Sequence, residues 1–264
     1  MALDLSSVNA KLNRADSHLN AYRDEVTRWA ASNPYHLSTG ANADSTRHHV
    51  AIHITENPDF ESWSLIIGDC VHNLRSALEH LVYAIAVNDA GQNPPPDENK
   101  LAFPIVDTAA DFRSTSRRIA KLSDPVRAAV ERMQPYNRTQ PKIPPSLAIL
   151  RDFENTDKHR LLSLAFAIPE QWKVTVQVPK VPISKSTINP SLEVRDGVEI
   201  VCFVFEASEP EVKIHNPTVK VAVCLWHKQL GPGSRNNSEA IGLLTLLRDE
   251  VRFVIDQVTA AVTV

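Results

Sequence analysis

The chain has 264 residues, 43% hydrophobic and 22% charged, with a formal net charge of −3. That is enough chain for a sizeable core and an ordinary globular balance, and it argues against a surface that grips nucleic acid over its whole extent. No apolar run approaches the roughly 20 residues a membrane-spanning helix needs, and the N-terminus lacks a basic flank followed by an apolar segment.

Residues 3–31 carry Leu5, Val8, Leu12, Leu19, Tyr22, Val26 and Trp29 at three- and four-residue steps, which predicts a helix. "SNPYHLSTGANADS" reads as turn-rich, and "RHHVAIHIT" alternates Val50, Ile52 and Ile54 against His49, Ala51 and His53 as a strand does. A long helix is expected over 59–88, opened by Pro58 and ended by "NDAGQNPPP". Two shorter helices follow at 108–121 and 124–134, then a loop, "NRTQPKIPP". "SLAILRDFENTDKHRLLSLAFAI" reads as helical, with a break near Asn155–Asp157.

After Pro169, "WKVTVQVPKV", "VEIVCFVFE" and "VKVAVCLWH" are β-branched and alternating, and "GPGSRNNSEA" ends them. Ile241, Leu244, Leu247, Val251, Val254, Ile255 and Val258 mark a last helix over 238–261. The expected class is α+β: a mainly helical bundle with a small antiparallel β-meander inserted before the C-terminal helix. The expected organisation is one domain, 1–264, with a helical part (1–168), a β part (169–232) and a C-terminal helix (236–262) packing back on the bundle. Cys70, Cys202 and Cys224 show no metal-binding or paired spacing and are expected to be buried, reduced thiols of a cytoplasmic protein.

The chemistry concentrates in "IGDCVHNLRSALEHLVYAI", residues 67–85. Taking Asp69 as zero at about 100° per residue, Asn73 falls at about 40°, Ser76 at about −20°, His80 at about 20° and His72 at about −60°. Short polar side chains thus form one row beside a broad apolar face, where a merely solvated face would favour Lys and Glu. A second polar cluster, Asn155, Asp157, Lys158, His159 and Arg160, sits at the expected helix break, where Asn155 or Asp157 would cap a new helix and offer its amides to an anion. Residues 112–142 hold eight basic side chains against two acidic ones, a local excess suited to phosphate.

Arg75, four intervening residues and His80 on one helix resemble the signature of the HEPN superfamily (higher eukaryote and prokaryote nucleotide-binding domains), helical proteins that include metal-independent ribonucleases. The resemblance implies that Arg75 contacts the scissile phosphate and His80 moves a proton at the ribose 2′-hydroxyl, with Ser76 where the family commonly places a polar residue after the arginine. It also implies RNA or a nucleotide as partner, a homodimer, and neither cofactor nor metal. Asp69, His72, Asn73, Ser76, Asn155, Asp157, Lys158, His159 and Arg160 would then line the substrate site. The competing expectation is a non-catalytic binding or scaffold protein, in which the same groups form a structural seam, Asp157 pairing with Arg75 or His72 and His159 with Asp69. A metal reading of His48, His49 and His53 finds no H-E-x-x-H or cysteine template to complete it.

Overall fold

The computed structural model describes residues 3–138, 145–167, 172–177, 181–188, 194–219, 221–225 and 239–262. The loops expected at 137–145 and 231–240, the strand ends at 178–180 and 226–227, and Lys142 lie largely or wholly outside the described residues. The protein has the expected α+β composition, with antiparallel strands ahead of a C-terminal helix. The chain divides into two compact units, one made of residues Met1–Asp24, Glu61–Leu162 and Ile241–Val264, the other of Glu25–Phe60 and Ser163–Ala240.

The first unit is helical. In α1 (Ser6–Ala31), Val8, Leu12, Ala15, Leu19 and Tyr22 are buried at alternating steps of four and three, the stripe an amphipathic helix presents to a core. Helix α2 (Phe60–Ala90) buries fourteen residues, from Trp63 to Ala86, and Tyr22 meets Trp63 edge to face at 6.1 Å. Each fully buried Leu, Ile or Phe here contributes roughly 1.5–3 kcal/mol. Gly68 permits close packing: a Cβ there would sit 2.7 Å from Asp157 Cγ.

Helix α3 (Ala109–Thr115) is capped by Thr108, whose Oγ1 accepts from Asp111 N at 3.1 Å, and it tightens into a 3-10 turn at Ser116–Ile119 rather than continuing to 121. Helix α4 (Asp124–Arg132) carries Pro125 in its first turn, and α5 spans Ser146–Asp157. Helix α6 (Ala240–Ala260) buries Leu243, Leu244, Leu247, Val251, Val254 and Val258. Asp16 of α1 holds α6 through Arg252, 2.5 Å, and Arg248, 3.6 Å. Cys70 is buried, its Sγ donating to Ala15 O at 3.5 Å, and burial pushes its thiol up to about 12.

The second unit holds β1 (Tyr35–Ala41), β2 (Arg47–Ile54), β3 (Leu164–Ala167), β4 (Trp172–Val176), β5 (Ile183–Ile188), β6 (Val198–Phe205), β7 (Ile214–Val219) and β8 (Ala222–Leu225). An antiparallel sheet runs β1-β2-β6-β5, and β3–β8 and β4–β7 pair separately. Strands β1 and β2, far from 169–232 in sequence, therefore belong with the β part.

Four strands differ from the sequence expectation: β5 and all but the last residue of β7 fall outside the three expected β segments, and β1 and β3 replace an expected turn and helix. "YHLSTGA" is a strand, not a turn: it pairs with β2 from Tyr35↔Ile54 to Ala41↔His48, and Asn42 closes the hairpin by accepting Arg47 N on its Oδ1 at 2.9 Å. Leu164–Ala167 is also a strand, because β8 supplies its ladder partners. Helix α5 consequently ends at Asp157, and no second helix follows it; residues 158–163 are turn and coil.

Candidate functional site

Within the helical unit a half-open cleft of about 530 Å³ lies between α2, the extended segment 103–106, residues 115–118 and α5. Helix α2 contributes His72, Arg75, Ser76 and Glu79, and α5 with its C-terminal residue contributes Arg151, Glu154, Asn155 and Lys158. Thr115 and Arg118 also line it.

One wall is built by side chains acting as a strand partner. Arg75 Nη2 donates to Phe103 O at 2.7 Å, while Phe103 N donates to Glu79 Oε2 at 2.8 Å. Arg75 and Glu79, one turn apart on α2, are themselves ion-paired. On the other side Gln134, fully buried, donates to Pro104 O at 2.9 Å and accepts from Val106 N at 3.1 Å. Phe103 N, Phe103 O, Pro104 O and Val106 N are thus paired by side chains in place of a neighbouring strand.

Arg75 is 17% exposed, and its Nη1 is buried without a hydrogen-bond partner. Burial, with help from Arg118, lowers its affinity for its proton, and Glu79 and Glu154 oppose this. It stays charged but is committed to holding the wall.

His72 and Glu154 meet across the cleft. Glu154 is only 7% exposed; its Oε1 lies 3.4 Å from His72 Nδ1 and 3.2 Å from Lys158 Nζ, and its Oε2 is buried with no hydrogen-bond partner. His72 is 57% exposed, and its Nε2 is 3.4 Å from Ser76 Oγ. A buried carboxylate on one ring nitrogen favours the tautomer that presents the other as an acceptor. Arg151 is neutralised by Asp107 at 3.0 Å and Asp152 at 2.8 Å. Arg118 is exposed and has no ion-pair partner among the described residues, which leaves it free to meet an anion.

The expected site residues separate. His72, Arg75, Ser76, Asn155 and Lys158 line the cleft; Asp69, Asn73, His80, Asp157, His159 and Arg160 do not. Asp69 is 67% exposed and reaches His18 at 3.9 Å. Asn73 turns its amide onto Asp69 O at 2.8 Å, inside its own helix. His80 is half-buried, and burial together with Lys11 of α1 lowers its pKa against the opposing effect of Glu79.

Asp157 packs on Gly68, and burial with Glu154 and Asp69 raises its pKa. His159 and Arg160 are exposed in the turn after α5. That segment is a helix C-terminus, so the expected amide anion site is replaced by carbonyls, which suit Lys158 instead.

Sequence reasoning missed Glu154, Arg151 and the 103–106 wall as site components. An acidic residue inside the apolar run of α5 was the available signal for Glu154. Among the described residues no group of three or more His, Cys, Asp or Glu is arranged to hold a metal ion, and no helix is long and apolar enough to cross a membrane. His48 instead sits buried against Glu209 O at 3.0 Å. No protein-family model, curated protein or solved structure matches this chain.

Proposed function

We propose that the protein binds a nucleotide or an RNA phosphate in the cleft of its helical unit. The observation that carries this is Arg118, a cation without an ion-pair partner among the described residues, which lines with His72 and Lys158 a recess of about 530 Å³. Phosphate is the anion that such a set of donors recognises, through charge-assisted hydrogen bonds. The HEPN-like spacing of Arg75 and His80 is compatible with the same ligand class, and with a homodimer measurable by light scattering. Three buried thiols accord with a cytoplasmic setting.

Metal-independent RNA cleavage is the second reading, and the His72–Glu154 pair favours it. An imidazole oriented by a buried carboxylate can take a proton from a ribose 2′-hydroxyl and return one to the leaving oxygen. Arg75, held by Phe103 O and Glu79, acts in this reading from the wall and not as a mobile phosphate clamp.

The test titrates AMP and a labelled single-stranded RNA into wild type and the Arg118→Ala, His72→Ala and His80→Ala variants at low salt with EDTA, and follows cleavage on gels. Arg118→Ala is expected to weaken binding about tenfold or more, as loss of one charge-assisted bond does. Wild type that binds neither probe at millimolar concentration overturns the proposal, as does unchanged affinity in Arg118→Ala. Cleavage lost in His72→Ala and kept in His80→Ala assigns the proton transfer to His72; the reverse assigns it to His80.

A further inference from the structure

The β unit presents a polar sheet face that the cleft does not use. Positions His36, Ser38 and Gly40 of β1 share this face with His49, Ala51 and His53 of β2, following the cross-strand register His36↔His53, Ser38↔Ala51 and Gly40↔His49. Ser38 and His53 are diagonal neighbours, and Ser38 Oγ lies 2.8 Å from His53 Nε2. On the other side of the ring, His53 Nδ1 is 3.6 Å from Asp196 Oδ1. Asp196, in the turn before β6, is itself fixed: its Oδ1 accepts from Ile54 N at 3.0 Å. The His36 ring stacks on His53 at 5.1 Å and 21°, limiting its swing.

We propose that Ser38, His53 and Asp196 form a second reactive site, which accepts an acyl group from a small activated carboxylic ester. The hydroxyl stands at hydrogen-bond distance from the imidazole, and the carboxylate at ion-pair distance from its other nitrogen. The hydroxyl is hydrogen-bonded to an imidazole nitrogen, and a carboxylate near the opposite nitrogen favours the tautomer that leaves Nε2 free to accept. This is the general arrangement of an activated nucleophile: a hydroxyl, a base within hydrogen-bond reach, and a third group that orients the base.

The ring nitrogen accepts the Ser38 proton as Oγ bonds to the ester carbonyl carbon. The tetrahedral intermediate then expels the alcohol, which leaves with that proton. Water attacks the acyl-serine, giving its proton to His53 Nε2, and Ser38 takes a proton back as the carboxylic acid departs. One ester and one water become one acid and one alcohol.

The setting also restricts the substrate. His53 is 36% exposed and Asp196 69%, so the site is a shallow face and little acyl chain can be buried against it. Small acyl groups with good leaving groups are the class that reacts without much binding energy. The assignment is independent of the cleft, whose own hydroxyls are Ser76 and Thr115 and whose imidazole is His72.

The experiment treats the full chain with a fluorophosphonate probe, where an Oγ–P bond forms and fluoride leaves, maps the adduct by peptide mass spectrometry, and follows p-nitrophenyl acetate hydrolysis. The adduct is expected on Ser38 and absent in Ser38→Ala. His53→Gln should slow labelling about 100-fold or more, the usual contribution of a general base. Asp196→Asn should slow it about tenfold or more. Should His53→Gln misfold by circular dichroism, Asp196→Asn, on an exposed side chain, makes the same comparison. An adduct on Ser76 or elsewhere overturns the proposal, as does no adduct while a control hydrolase is labelled. Labelling of Ser38 at the same rate in folded His53→Gln or Asp196→Asn overturns it equally.

Discussion

Replacing Gln134 by leucine tests whether side-chain clamping holds the cleft wall. Gln134 is 0% exposed, and its amide makes three hydrogen bonds: to Pro104 O, to Val130 O, and from Val106 N. Leucine keeps most of the volume and strands two backbone groups of the 103–106 segment, Pro104 O and Val106 N. Each unpaired buried group costs about 1–3 kcal/mol, about 2–6 kcal/mol together. The apolar side chain returns about 1–2 kcal/mol through its better transfer from water.

Val106 is half-buried, so water can reach its amide, which places the expected net loss at about 1–3 kcal/mol. Urea unfolding with an unchanged m-value reads that loss, and amide hydrogen exchange reads its location. Val106 N should lose protection in Gln134→Leu, and Phe103 N should keep most of its own through Glu79. A loss below about 0.5 kcal/mol with Val106 protection intact would refute the clamp, since both stranded groups would then have cost nothing.

Two further predictions concern the approach of α5 to α2. Gly68→Ala gains about 1 kcal/mol of helix propensity but sets a Cβ 2.7 Å from Asp157 Cγ and 2.9 Å from its Oδ2, so a net loss of about 1 kcal/mol is expected in thermal or urea unfolding. In an Asp157→Ala background the same substitution should become neutral or stabilising; a stabilising effect in the wild type would show that the contact relaxes freely.

The second follows from Asp157, whose folded pKa lies above the ordinary value of 3.8 because of burial, Glu154 and Asp69. Between those two values the native state binds more protons than the unfolded chain, so this group makes stability fall as pH rises through the window. Asp157→Asn should therefore be more stable than wild type at pH 7, with the difference vanishing below pH 3.8. Equal stability at pH 7 and a parallel pH profile would remove Asp157 as the source.

How much of this was legible depends on whether neighbours in sequence or neighbours in space decide. The helices α1, α2, α4 and α6 were readable because each repeats its apolar residues at helical steps over two or more turns, and Pro58 and Pro125 mark the starts of α2 and α4. So was β6, whose run of β-branched and aromatic residues suits a strand buried between two others. Strands β1 and β5 were not readable. "YHLSTGA" and "ISKSTI" are polar and short, and become strands because β2 and β6 offer them ladders. Leu164–Ala167 is equally apolar as helix or strand, and β8 decided it.

The site divides in the same way. From spacing alone α2 was readable as a helix with a polar row, and His72, Arg75 and Ser76 do meet in one cleft. Which way that row faces was decided by α1 and α5. The cleft takes the side carrying His72, Arg75, Ser76 and Glu79, while Asp69 reaches His18 and His80 is left to the influence of Lys11.

The sequence by itself determined the helical periods, the apolar β segments and the supply of titratable groups on α2 and α5, because these rest on local geometry and residue type. Only the tertiary structure decided that Arg75 and Glu79 serve Phe103, that Glu154 orients His72, and that Ser38 meets His53. Each joins groups through contacts between separate elements, and local periodicity carries no information about the distance between them.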